Sequence, residues 1–235
     1  MKIVFVGPSL AQNRCGFPSD LEFRPPAVQG DVMQALRDGA SVIGLIDGQF
    51  ECVAPVWHKE LLYALKCGIA VFGASSMGAL RAAECQAFGM HGVGRIFEDY
   101  ASGRRVDDAD VALLHAPAEL GYQALTVPLV NADATLDQAH LAGLIDETEM
   151  SRIKQTARQI HYKDRSWKRL SDLSGMSWAR LRALIDLCYT DQKQLDALAM
   201  LALVQGVNAT DPAQVPAWTF NATPLWRELY DKSVK

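Results

Sequence analysis

Asp47, His58 and Ser76 follow one another in the first third of the chain, and together they are the residue types of an activated-nucleophile site. A serine hydroxyl attacks a carbonyl only when a base takes its proton, and a carboxylate that orients the base completes the arrangement. Ser76 lies in Ala74-Ser75-Ser76-Met77-Gly78, a small-residue turn like a nucleophile elbow with Ala74 where the elbow has glycine. In such a turn the Met77 N–H would be one oxyanion donor. The same residues also fit a plainer role, in which Ser75 or Ser76 caps the helix that starts at Met77, worth about 1 kcal/mol. His58, in Trp57-His58-Lys59-Glu60, reads as the base or as a helix-start histidine packed on Trp57. Asp47 before Gly48 reads as its orienting carboxylate or as a turn residue.

Binding residues would gather at the same turns. Gly7-Pro8-Ser9, Asp47-Gly48 and Gly73-Ala74-Ser75-Ser76 each end a strand-like run with small or polar residues that let a ligand approach the backbone. Ser9, Gly48, Gly73 and Met77 are therefore candidate substrate contacts. Arg24, stiffened by Pro25 and Pro26, and Arg81, about one turn into a helix, are candidate anion clamps, although Glu84 stands three residues beyond Arg81 and can pair with it. No phosphate loop and no dinucleotide fingerprint follows any strand, so no cofactor is expected. Cysteine and histidine spacing gives no zinc pattern, and no metal site is expected. Of the thiols, Cys52 falls on the right edge, whereas Cys67 and Cys85 lack the helix-start setting that activates a thiol.

The elements that must hold these residues alternate. Apolar runs at Lys2–Gly7, Ser41–Ile46 and Ile69–Phe72 are interleaved with helical spacing over 28–37, 56–66 and 77–88, and Val111–Leu114 is a possible fourth strand. Continuous apolar strands separated by helices make a parallel sheet covered on both faces, whose ligands bind at the strands' carboxyl ends. The expected fold class is α/β: an N-terminal Rossmann-like or flavodoxin-like three-layer core over residues 1–126, with an all-helical part over residues 127–235.

Composition narrows the class. With 235 residues, 49% hydrophobic and 21% charged at a net −4, the chain can bury a full core and lacks the basic excess of a general nucleic-acid binder. Apolar stretches are too short to span a membrane, and no export signal is legible at the N-terminus. A cytoplasmic protein with free thiols is expected. Residues 1–122 carry 10 Lys/Arg against 14 Asp/Glu, and the remainder 13 against 13, so the negative balance lies wholly in the α/β half. The helical half contains a basic run through Arg152, Lys154, Arg158, Lys163, Arg165, Lys168 and Arg169, which reads as a solvated face or as a surface for an acidic partner.

The strings Arg24-Pro25-Pro26-Ala27, Ile43-Gly44-Leu45-Ile46-Asp47-Gly48, Val56-Trp57-His58-Lys59-Glu60 and Ser76-Met77-Gly78-Ala79-Leu80-Arg81-Ala82-Ala83-Glu84 resemble the core of the TfuA-like proteins, over roughly residues 3–125. That resemblance implies a role beside a YcaO enzyme in converting a backbone amide of a ribosomally made peptide into a thioamide. Its implied partners are the YcaO enzyme, a ubiquitin-like sulfur-carrier protein and possibly the precursor peptide. A carrier's C-terminal thiocarboxylate is an acyl group with a good sulfur leaving group, so Ser76, His58 and Asp47 would release sulfide from it by acyl transfer or hydrolysis. The alternative is a docking module without catalysis, which recruits the sulfur donor or peptide to the YcaO enzyme through the basic run.

Overall fold

A computed structural model describes residues 1–10, 19–49, 51, 53–207 and 217–230; Cys15 and the candidate thiol Cys52 lie outside the described residues. Five parallel strands form one sheet in the order β2-β1-β3-β4-β5: β1 (Lys2–Phe5), β2 (Leu21–Arg24), β3 (Val42–Leu45), β4 (Ala70–Ala74) and β5 (His91–Val93). The chain moves outward from β1 to β2, then crosses back to β3, which also pairs with β1. This is the flavodoxin-like order, and its reversal of direction opens a crevice beyond the ends of β1 and β3.

Strand alternation sends Ile3, Phe5, Ile43, Leu45 and Val71 to one face, packed on α1 (Asp31–Arg37), α2 (His58–Lys66) and α3 (Met77–Cys85). Val4, Val6, Val42, Phe72 and Ala74 point the other way. There Ala197, Met200, Leu201 and Val204 of α9 (Gln192–Gly206) cover them. The helical second half thus supplies a layer of the α/β core. Between these halves run α4 (Arg95–Ala101) and α5 (Leu129–Leu141), joined to α3 through Ala79, Ile96, Val111 and Val130. A second core forms among α5, α6 (Glu147–Gln159), α7 (Trp167–Ser174) and α8 (Trp178–Cys188). The last helix, α10 (Pro224–Tyr230), returns to α1 and α2, burying Trp226 and Tyr230 against Met33.

The strand expectations need correction at Val111–Leu114 and at the two edge strands, β2 and β5, which the sequence reading leaves out. Val111–Leu114 is not a strand but a packed loop; a short apolar run alone does not separate the two, and the place beside β4 is taken by β5. Conversely, β2 reads as loop in the sequence because it is an edge strand, with Glu22 exposed between Leu21 and Phe23.

Two glycines bring α3 onto the sheet. A Cβ on Gly78 would lie 1.8 Å from the Leu45 carbonyl oxygen, and one on Gly73 2.2 Å from the Gly78 carbonyl oxygen. The Gly78 N–H donates to Ile46 O at 3.1 Å, so the first turn of α3 rests directly on the end of β3. Gly78→Ala is expected to lose about 2 kcal/mol or more of stability, because backbone must shift to admit the methyl group. Equilibrium urea denaturation checks this, and an unchanged midpoint would mean that α3 does not sit this close.

Candidate active site

The carboxyl ends of β1, β3 and β4 converge on a buried polar cluster. Asp47, 1% exposed at the end of β3, accepts the Gly7 N–H at 2.8 Å, the Ser9 N–H at 3.0 Å and the Ser9 hydroxyl at 2.8 Å. One carboxylate therefore ties the loop after β1 to the loop after β3. The Ser75 hydroxyl donates to Ser9 Oγ at 3.0 Å, which adds the turn after β4 to the same network.

That turn is sharp, but its strain falls one residue before the position that an elbow gives to the nucleophile. Ser75 has φ +69°, a left-handed conformation that costs a non-glycine residue on the order of 1 kcal/mol or more and persists only where the surroundings enforce it. Ser75 itself is fully buried and committed to Ser9. The residue the turn presents to the crevice is Ser76, which lines a cavity of about 520 Å³ with Asp47, Gly48, Val111, His115 and Tyr122. Ser76 is the N-cap residue of α3, yet its side chain makes no capping hydrogen bond. The capping role open in the sequence is not the role its hydroxyl takes.

The partner of Ser76 comes from the far half of the chain. Lys193, the second residue of α9 and 2% exposed, directs Nζ to Ser76 Oγ at 3.1 Å and to the Val111 carbonyl at 2.8 Å, with Asp47 Oδ1 at 4.0 Å. Burial pulls the Lys193 ammonium below the ordinary lysine value, against the opposing pull of Asp47 and Asp191, the direction in which burial tunes lysine bases. The start of α9 is fixed from two sides. Asp191 caps it through the Gln194 N–H, and Asn131 of α5 accepts the Lys193 N–H at 3.1 Å.

His58 does not join this cluster. Its Nε2 is 2.6 Å from Glu84 Oε2 and 3.3 Å from Arg81 Nη1, and it makes no hydrogen bond with Ser76. Arg81 in turn holds Glu84 at 2.8 Å and the Val56 carbonyl at 3.1 Å, so it is occupied as a structural tie between α2 and α3. Burial would raise the Glu84 carboxyl, but hydrogen bonds from His58 and Arg81 keep it below its ordinary range. Arg24 is likewise engaged, with Glu22 at 2.7 Å and Asp38 at 2.8 Å. Neither guanidinium is free to clamp an anion. Gly73 is packed under α3, and a Cβ on Gly48 would strike the Met77 sulfur at 2.3 Å; of the two, Gly48 lines the cavity. Ser9 lines a neighbouring cavity of about 500 Å³, which shares Pro8, Leu113 and Lys193 with the first.

Burial pushes the Cys85 thiol up to about 11, away from a reactive thiolate. Among the described residues no group of three His, Cys, Asp or Glu side chains is placed to hold a metal ion. No helix of the described residues is long and apolar enough to cross a membrane.

A family model described as TfuA-like protein matches residues 47–166, slightly more than half of the chain. The chain belongs to the TfuA-like family. Members of this family are associated with YcaO enzymes, and at the family level the role is that of an accessory to peptide thioamidation. No curated protein matches the sequence. The matched region of this TfuA-like chain begins at Asp47 and contains Ser76, but Ser9 and Lys193 lie outside it. It also starts later and runs further than the stretch whose strings carry the resemblance.

Because the His58–Glu84 pair is 42% and 46% exposed, it contributes at most about 1 kcal/mol. His58→Ala is expected to cost less than that in urea denaturation and to leave the Ser76 environment intact. A loss of several kcal/mol would show that His58 does more than pair at the surface.

Proposed function

We propose that this TfuA-like chain supplies sulfur to its YcaO partner by releasing sulfide from a thiocarboxylated sulfur-carrier protein, with Ser76 as nucleophile and Lys193 as its base. The observation that carries the proposal is the contact between Lys193 Nζ and Ser76 Oγ, inside a cavity and out of water. Serine–lysine pairs are a known variant of hydroxyl activation, and a desolvated lysine serves as the base near neutral pH. Lys193 thus takes the part that the sequence gives to His58, and Asp47 acts on the loops and on Lys193.

The chemistry balances without a further reactant. Ser76 Oγ adds to the thiocarboxylate carbonyl carbon while its proton passes to Lys193 Nζ. The C–S bond then breaks as the Lys193 ammonium returns its proton to the departing sulfur, which leaves as hydrosulfide, and the carrier remains as an ester on Ser76 beside a neutral Lys193. Water, deprotonated by Lys193, cleaves the ester, so thiocarboxylate and water become carboxylate and hydrogen sulfide. The candidate oxyanion donor stands next to the nucleophile: Gly78 N–H is held by Ile46 O and Ala79 N–H by Ser76 O, whereas the Met77 N–H has no backbone acceptor among the described residues.

A role limited to docking has weaker support, because the basic run it would use is largely spent within the chain. Arg165 is buried and donates to the carbonyls of Val127, Ala157 and Ile160. Arg152 bonds the Ser174 carbonyl, while Lys154, Arg158, Lys163 and Lys168 pair with Asp137, Asp133, Glu51 and Asp172.

Purified protein mixed with a thiocarboxylated carrier should release sulfide above the buffer rate. Ser76→Ala and Lys193→Met should each lower that rate by about three orders of magnitude, and the double variant should be no worse than either alone, as for residues that act as one unit. Release by Ser76→Ala at the parental rate would remove the serine from the mechanism.

The pH profile tests the base separately. Release should rise with pH as Lys193 loses its proton, with a midpoint below the ordinary lysine value because burial disfavours the charged form. Asp47 raises that midpoint by attracting the ammonium, so Asp47→Asn should move it to lower pH, whatever the variant does to the maximal rate. A midpoint that stays put or climbs rules out Lys193 as the titrating group.

A further inference from the structure

Hydrolysis of the Ser76 ester needs a water molecule held in line with the carbonyl carbon, and Lys193 takes only one of its two protons. The second proton needs an acceptor, because a water tied at one end alone is seldom in position to attack. The acidic side chains that line the cavity are Asp47, Glu51 and Glu119. Asp47 is filled by Gly7, Ser9 and Lys193, and Glu51 pairs with Lys163. Glu119 is exposed to solvent. None of the three is an open acceptor sheltered from bulk water.

His115, half-buried, lines the same cavity. Its Nδ1 lies 2.8 Å from the Ala116 carbonyl oxygen. A carbonyl has no proton to give, so Nδ1 is the donor, and the neutral ring carries its lone pair on Nε2. Nε2 has no hydrogen-bond partner among the described residues. The hairpin 113–126 holds the ring in place. Its arms are joined by Ala116 N–H to Gln123 O and Leu125 N–H to Leu114 O, both 2.8 Å. Its tip turns on two successive left-handed residues, Gly121 at φ +68° and Tyr122 at φ +57°. A left-handed tyrosine is strained and persists only where its surroundings enforce it. Here the strained residue sets its ring edge-on to the imidazole, with centroids 5.6 Å apart and planes at 67°.

We propose that His115 positions the hydrolytic water of the second half-reaction. Its Nε2 accepts a hydrogen bond from one end of the water while Lys193 removes the proton at the other. The water oxygen bonds to the ester carbon, the bond to Ser76 Oγ breaks, and Lys193 returns its proton to that oxygen. The proton that faces His115 stays on the product carboxyl group, which then loses it to solvent. This role rests on the sulfide-release reading and divides its two halves: acylation of Ser76 has no need of His115, and deacylation does.

Rapid-quench kinetics with thiocarboxylated carrier in excess over protein separate the halves. His115→Phe keeps a ring against Tyr122 and removes the acceptor. It should release one equivalent of sulfide at the parental rate and then turn over about a hundredfold more slowly, with the carrier ester on Ser76 visible in the intact mass. His115→Gln, whose amide oxygen can stand in for Nε2, should recover much of the steady rate. An unchanged melting temperature shows that neither variant is misfolded. Steady turnover by His115→Phe at the parental rate overturns the proposal. So does a first equivalent slowed as much as the later ones, or a stalled protein that carries no ester. The parental protein and Ser76→Ala are run alongside: no release by the first, or undiminished release by the second, overturns the sulfide-release reading itself and not the role of His115 alone.

Discussion

An ammonium group taken out of water loses hydration worth several kcal/mol, and a fold can hold it there only by surrounding it with acceptors. Lys193 is such a group, and the elements that meet it are drawn from the whole chain. The Ser76 hydroxyl comes from the turn after β4, the Val111 carbonyl from the loop before α5, and the Asp47 carboxylate from the end of β3. The layer that α9 lays over the second face of the sheet brings the amine to this point, with Met200 and Val204 seated among the strand side chains. The crevice between β1 and β3 supplies the room. Removing any one of these contributions leaves either a bare charge or an empty place in a packed core.

The same device recurs where the two halves of the chain meet. Asp196, one helical turn beyond Lys193, accepts the backbone N–H groups of Arg95 and Ile96 at the start of α4. Arg105, mostly buried, spreads over Asp99, Asp110 and Asp133, so its guanidinium joins α4, the segment after it and α5. Its carboxylate neighbours hold it firmly charged despite burial. Side chains that bind across halves in several directions at once fix relative orientation more tightly than apolar contact alone, because each hydrogen bond has a preferred geometry.

Much of the α/β half was legible in the sequence because its strands are buried on both faces and so read as unbroken apolar runs. The helices over α1, α2 and α3 and the turns at Asp47 and Ser76 followed from the same rhythm. The edge strands β2 and β5 did not, since the charged Glu22 and Arg24 break the run in β2 and His91 and Gly92 leave β5 without one. Of the candidate site, Asp47 and Ser76 are found at strand ends in one cluster, while His58 belongs to the outer rim with Glu84. Lys193 was hidden by the phase of its helix. Leu195, Leu198 and Leu201 suggest one apolar stripe, but Leu195 is 53% exposed, and the buried stripe runs through Lys193, Ala197, Met200, Leu201 and Val204. A lysine four residues before Ala197 on that stripe was the available signal, and it becomes readable only once the sheet is known to cover this side of α9.

Ser76 and Lys193 are separated by well over a hundred residues, and the region that marks the family ends after α6, just before α7 begins. The elbow is therefore made early in synthesis and its amine late. Until α9 has emerged, a growing chain has one face of its sheet uncovered and lacks the amine that meets Ser76. Assembly of the last layer is also the step that brings the Lys193 amine to the Ser76 hydroxyl, so a chain cut short between residues 166 and 193 retains the family match and lacks the contact on which the proposed chemistry rests.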